Sequence, residues 1–206
     1  TLGYLNEILS IVLPFLTKKM HFIARESSIS SLRNNADSFS KLHHWIYQRY
    51  MRRFNTIVCQ SEEMFEDLKK VYGIPKNQLV IIDNPLDQEY ILRKSKEECL
   101  EMNKEAHNIL AVGSLKKVKN YNLLIEEATL STSNNKYWIV GEGEERENLE
   151  KMIFEQELRD KVVLLGHQIN PWKFMANADE FWQKSHWEGN SNAMKEWVTL
   201  KNKIKV

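Results

Sequence analysis

The sequence predicts an α/β protein built on doubly wound parallel sheets. Short apolar runs at Thr56–Cys59, Ile109–Val112, Tyr137–Val140 and Val162–Leu165 have the near-continuous hydrophobicity of strands buried on both faces. Segments of helical length and character lie between them, so strand and helix alternate. The expected strand ends fall at Gly113-Ser114, Gly141-Glu142-Gly143, Gly166-His167 and Ser185–Glu188. Sheets of this kind gather ligands at the carboxyl ends of their strands, so function is expected there.

Taken in order, Leu2–Leu16 reads as a helix and Met20–Ala24 as a short strand leading into Arg25-Glu26. Ile29–Ser38 is rich in Ser and Asn and reads as a loop. Ser38 or Ser40 can cap a helix to about Phe54, with apolar positions at Leu42, Trp45, Ile46, Tyr50 and Phe54. After the strand Thr56–Cys59, Ser61 caps a helix with Glu62 and Glu63 in its first turn. Gly73 suits the position past that helix, and Pro75 follows. Gln78–Ile82 is a strand and Asp83–Asp87 a turn. Residues 88–107 are polar and helical in character, as a connector would be. Beyond them come the strand Ile109–Val112, the helix Tyr121–Thr129 and the strand Tyr137–Val140. The helix Glu144–Leu158, the strand Val162–Leu165, the helix Pro171–Ala178 and a strand Phe181–Ser185 complete the series. The chain therefore divides into 1–87, 88–107 and 108–206.

Composition is that of an ordinary soluble domain or parts of two, with 206 residues, 42% hydrophobic. Lys and Arg number 29 against 28 Asp and Glu, so no net charge argues for nucleic acid. Cys59 and Cys99, without CxxC or metal-ligand spacing, suit free thiols in a reducing compartment. Leu2–Leu16 is too short to span a bilayer and follows no basic leader. A cytoplasmic protein is expected. His43 and His44 read as helix-surface residues rather than metal ligands, and His167 as a loop or core histidine. The helix Ser40–Phe54 carries Arg49, Arg52 and Arg53 beside Trp45, Tyr47 and Tyr50. That pattern fits either core packing or an anionic membrane surface.

The stretch Ser185–Glu196 holds two carboxylates, Glu188 and Glu196, on either side of a Gly/Asn/Ser loop. Ser191 and Asn192 are good helix caps, so backbone N–H groups and a helix dipole could face an anion there. Five phrases then fall in a meaningful order: "VYGIPKNQLVIIDNPLD", "ILAVGSLKKVKNYNLLIEEA", "WIVGEGEERENLE", "DKVVLLGHQINPWKFMANADEF" and "SHWEGNSNAMKE". Together they resemble the family 4 glycosyltransferases from about Arg25 to Glu196, and within them the bacterial enzymes of surface-polysaccharide and lipid-linked saccharide synthesis.

The resemblance implies the GT-B architecture, two Rossmann-like domains with the active site in the cleft between them. It also implies transfer of a sugar from a UDP- or GDP-sugar to a saccharide or lipid-linked acceptor, with retention and without a metal. Asn84-Pro85-Leu86-Asp87 matches the crossing between domains, and Arg25-Glu26 falls where acceptor-side residues sit. Lys119 matches the diphosphate lysine, Glu196 the ribose carboxylate, and Glu188 the carboxylate near the transferred sugar. Gly113 and Ser114 match the first phosphate loop, and Gly189, Asn190, Ser191 and Asn192 the second.

Several positions depart from the family pattern. Ser114 stands where an arginine is usual, so one of two phosphate cations is missing. Lys116 and Lys117 lie close by but out of position. Phe181–Lys184 and Lys203–Val206 are too polar for central strands and read as edge strands or locally disordered segments. Trp197, Lys201 and Lys203 replace an expected small residue, Gly and Pro. The resemblance also implies that the chain starts inside one domain and stops inside the next. A non-catalytic module that binds nucleotide or stabilises a partner is the rival reading. Gly141 and Gly143 read equally as plain turn glycines, because a lone GxG lacks the full dinucleotide fingerprint.

Overall fold

A computed structural model describes residues 3–15, 20–35, 39–102, 105–185 and 190–203. The chain separates into two compact units, Thr1–Pro85 with Trp187–Asn190, and Leu86–His186 with Ser191–Val206.

The first unit opens with α1 (Gly3–Val12), which continues as a 3-10 turn over Leu13–Phe15. Strand β1 (Ile23–Arg25) follows, then α2 (Ser30–Asn35) and α3 (Ser40–Tyr50). The polar segment expected as a loop at Ile29–Ser38 is thus helical over Ser30–Asn35, because Ser31 N–H is held by Asp67 Oδ2 at 3.0 Å. Helix α3 starts at Ser40 without a side-chain cap, unlike the expected serine cap. Next come β2 (Thr56–Cys59), α4 (Glu62–Lys70) and β3 (Leu79–Ile81), the three strands forming one parallel sheet in the order β1-β2-β3. Ser61 caps α4 as expected, its Oγ accepting from Met64 N–H. Gly73 adopts φ +64° just past that helix, where a side chain would be strained.

The buried stripe of α3 and the turn after it is Tyr47, Met51 and Phe54, whereas Leu42 and Trp45 are 50% and 53% exposed. Of the expected stripe Phe54 is buried and Ile46 and Tyr50 are half-buried, so the inward face is shifted toward Tyr47, and a polar contact accompanies the shift. Tyr47 hydroxyl donates to Glu26 Oε1 at 3.0 Å, and Asn6 Nδ2 donates to the same oxygen at 2.7 Å. Glu26, just past β1, is fully buried and would be costly without such donors. His43 and His44, expected at the helix surface, are half-buried, His43 against Glu7 Oε2 at 2.5 Å and His44 stacked on Tyr72. Helix α1 turns its polar residues Asn6, Glu7 and Ser10 inward, while Leu5, Ile8 and Phe15 are exposed. Arg53 donates to the Ser10 and Ile11 carbonyls at the end of α1, each at 3.2 Å, and lies over the Tyr50 ring. Cys59 is buried, and burial together with nearby Glu26, Asp67 and Glu62 pushes its thiol up to about 12.

The second unit begins with α5 (Gln88–Lys94), capped by Asp87 and buried at Ile91. A series follows of β4 (His107–Val112), α6 (Tyr121–Leu130), β5 (Asn135–Val140) and α7 (Arg146–Glu155). Then come β6 (Val162–Gly166), α8 (Trp172–Asn177), β7 (Glu180–Phe181) and α9 (Asn192–Lys203). All four strands are parallel, in the order β6-β5-β4-β7. Alternation along the strands divides the core. Ile109, Ala111, Tyr137 and Ile139 pack toward Leu124, Ile125, Leu149 and Ile153 of α6 and α7. Leu110, Trp138 and Val140 pack on the other face with Ile91, Phe174, Met175 and Leu200 of α5, α8 and α9. Helices on both faces make the doubly wound α/β arrangement expected from the sequence.

The polar end of the unit corrects two expectations. The strand expected over Phe181–Ser185 is the two-residue β7 at the sheet edge, beginning at Glu180. Trp182 instead turns inward, stacking on Tyr121 and donating from Nε1 to Glu127 Oε2 at 3.2 Å. Lys184 Nζ donates to the same carboxylate oxygen at 2.9 Å. The segment expected as an edge strand from Lys203 onward starts in helix, since α9 runs through Lys203; residues 204–206 lie outside the described residues. Lys201, where glycine was expected, donates to the Ala178 carbonyl at 2.6 Å and lies over the Trp197 ring. Its amine is thereby partnered, although burial pulls its pKa down.

Candidate functional site

The second unit sets the turns after β4 and β5 against each other. Leu115 N–H donates to the Glu142 carbonyl at 2.9 Å, and Glu145 N–H to the Leu115 carbonyl at 3.0 Å. A Cβ on Gly141 would lie 1.9 Å from Gly113 O, and one on Gly143 would lie 2.4 Å from Leu115 O. Both glycines are thus demanded by loop-on-loop packing. At the end of β6, Gly166 takes φ +71°, and a Cβ there would come within 3.0 Å of Glu142 Oε1. That carboxylate is fixed by Arg146 NH1 at 2.5 Å.

Above these turns lies a cavity of about 340 Å³ lined by Val112, Gly113, Ser114, Val140, Gly141, Glu142, His167, Gln168 and Pro171. Its volume lies in the usual range for small-molecule sites. Ser114 is exposed at this end of β4. A 3-10 turn over Lys117–Lys119 ends at Asn120, whose φ of +60° admits the start of α6. The turn folds Lys119 back over β4, so that its Nζ is 3.7 Å from where a Gly113 Cβ would stand. Lys119 is thereby brought back to the strand end that bears Gly113 and Ser114.

Helix α9 carries the remaining described residues that the sequence places in the site. Ser191 is its cap, accepting from Met194 N–H at 3.2 Å and donating to Gln183 Oε1 at 2.7 Å; Asn192 is the first helical residue. The positive end of the helix dipole lies at these two residues. One turn further, Glu196 Oε2 accepts from Trp172 Nε1 at 3.0 Å. Burial pushes the Glu196 carboxyl above the ordinary range, and the indole N–H partly opposes that rise.

Not every expected residue joins this group. Asn190 belongs to the first unit, where its side chain donates to the Gln60 carbonyl at 2.7 Å and to Asp83 Oδ1 at 2.5 Å. Nearby, Arg25 donates to Asn84 Oδ1 at 2.6 Å, and Asn84 donates to Gln60 Oε1 at 3.1 Å. Glu188 and Gly189 lie outside the described residues. Trp172, Gln168 and Pro171 were missed from sequence. The usable signal was their place directly after Gly166, at a strand end. Among the described residues no three His, Cys, Asp or Glu side chains converge in a way that could hold a metal ion.

Residues 93–196 match the family model for glycosyl transferases group 1, and residues 21–90 that for glycosyltransferase family 4. Over 169 residues the chain is 32% identical to a Campylobacter jejuni N-acetylgalactosamine-N,N'-diacetylbacillosaminyl-diphospho-undecaprenol 4-alpha-N-acetylgalactosaminyltransferase, covering 82% of this chain and 45% of that protein. Among solved structures, Anabaena HepE in complex with UDP-glucose superposes with a TM-score of 0.73 at 14% identity, over 96% of this chain and 54% of that one. Staphylococcus aureus TarM gives a TM-score of 0.72 at 19% identity, over 93% and 38%. The chain thus spans less than half the length of the curated relative.

Proposed function

The chain belongs to the group 1 and family 4 glycosyltransferases, with the GT-B fold, and on that premise we propose that it is part of a retaining enzyme transferring a hexose-type sugar from a UDP- or GDP-sugar. The acceptor is a saccharide or lipid-linked saccharide of cell-surface polysaccharide synthesis, in line with the Campylobacter relative's name. The carrying observation is the return of Lys119 to the strand end that bears Gly113 and Ser114, beside a cavity of suitable size. Lys119 and the amides at Ser191 and Asn192 hold the diphosphate; a charged contact of this kind contributes about 1.5–3 kcal/mol and stabilises the leaving group. Glu196 accepts from the ribose hydroxyls, Glu188 serves the transferred sugar, and no metal is needed while lysine and helix dipole carry the phosphate charge. Gly189 is assigned to the loop around the sugar, whereas the Asn190 side chain is taken up by Gln60 and Asp83 within the first unit.

The same account places the enzyme at the cytoplasmic side of the membrane. No helix among the described residues is long and apolar enough to cross it. For peripheral contact, α3 offers Leu42, Trp45 and Arg49 at its surface, whereas Tyr47 and Arg53 are engaged inside the first unit. One observation favours the rival non-catalytic reading: Ser114 supplies a neutral hydroxyl where the family has a cation, which weakens phosphate binding. Turnover decides. Incubated with UDP- and GDP-hexoses and a lipid-linked saccharide, the full-length protein should give a product whose new linkage keeps the donor's anomeric configuration by NMR. Nucleotide binding without product would favour the rival, and an inverted linkage would remove the retaining mechanism.

A further inference from the structure

Glu196 does not stand alone on α9. The Trp172 indole reaches it from the first turn of α8, one residue after Pro171 of the cavity wall. Trp172 is in turn braced edge-on by Tyr90 of α5, with ring centroids 5.5 Å apart, and Arg93 lies over that tyrosine. Helices α5, α8 and α9 pack on one another, so the indole is fixed from behind and its N–H is aimed at one carboxylate oxygen. Glu196 Oε1 has no hydrogen-bond partner among the described residues. A carboxylate that must meet two vicinal hydroxyls gains from being held in one rotamer, because a free side chain has to be ordered on binding.

We infer that Trp172 is a positioning residue for donor binding: its N–H locks Glu196 through Oε2, presenting Oε1 to the ribose and coupling the carboxylate to the cavity wall at Pro171. The inference rests on the proposed ribose role of Glu196. The same hydrogen bond opposes part of the upward shift that burial gives the Glu196 carboxyl. Burial favours its neutral form, the indole N–H favours its charged form, and no other charged group contributes.

The test is calorimetric titration of UDP across pH 4 to 8 (about the carboxylate range) against wild type, Trp172→Phe, Glu196→Gln and the double variant. Phenylalanine keeps the edge contact with Tyr90 but removes the donor. Trp172→Phe should bind UDP roughly tenfold or more weakly, as expected for one lost hydrogen bond to a charged group. The acidic limb of its binding curve should move to higher pH, and both effects should vanish in the Glu196→Gln background. Unchanged affinity in Trp172→Phe with weakened Glu196→Gln would overturn the positioning role alone. An equal loss in both backgrounds would do so too, since it would mark a general packing effect. Full affinity in Glu196→Gln would remove the ribose assignment and this inference with it. A measurement independent of the tryptophan variant is the Trp172 indole N–H resonance. It should titrate with pH in wild type and stay constant in Glu196→Gln; a constant wild-type resonance would rule out the hydrogen bond.

Discussion

Gly141 and Gly143 let the turns after β4 and β5 pack together by having no side chain. A Cβ at Gly141 would stand 1.9 Å from the Gly113 carbonyl oxygen, so backbone must move to admit even alanine. We expect Gly141→Ala to lower unfolding free energy by about 2 kcal/mol or more, in the range of strained overpacking, measured by urea denaturation. Ser114→Ala, at an exposed position, should change it little. Sequence supplied the glycines' identity but left them between turn glycines and ligand contacts, since spacing does not reveal how closely a second loop approaches. The phrase around Lys119 singled that residue out, and the structure folds it back over Gly113. Trp172 was not legible, because one tryptophan on a short helix has no periodic signal, and its partner Glu196 lies on another helix.

Among the elements, α9 bears the most candidate site residues, with Ser191 as its cap, Asn192 at its first position and Glu196 one turn further. The Ser191 hydroxyl accepts from Met194 N–H and so satisfies one of the amides the helix start leaves open. Ser191→Ala should therefore cost about 1 kcal/mol of stability, as cap removal usually does, read from the shift of the denaturation midpoint. The central strands β4, β5 and β6 were legible from their apolar runs alone. Failures cluster where side-chain chemistry overrides pattern. Helix α2 forms from a polar Ser/Asn stretch because Asp67 binds its first turn. The inward face of α3 follows Tyr47, which serves Glu26, rather than its most apolar residues. Helix α9 carries Trp197 and Lys201 through to Lys203 because aromatic stacking on Phe181 and a bond to the Ala178 carbonyl make room for them.

At the level of the whole molecule, each unit has its own sheet and core. The parallel strands of the second unit end in the turns that bear Gly113, Ser114 and the glycines, and the family's donor phrases fall on those turns. Alternating strand and helix made the architecture readable in advance. The buried polar group of Glu26, Asn6, Tyr47 and Ser30 in the first unit was not, because its members are scattered along the chain and meet only on folding. The central claim is that the second unit binds a nucleoside diphosphate through Lys119 and Glu196. Isothermal titration of UDP, with GDP in parallel, into the protein and its Lys119→Ala and Glu196→Ala variants tests it most directly. The account predicts saturable one-site binding by wild type to at least one nucleotide, and a loss of about tenfold or more in each variant with thermal melting unchanged. Failure of wild type to bind either nucleotide, or variants that bind as wild type does, would contradict it.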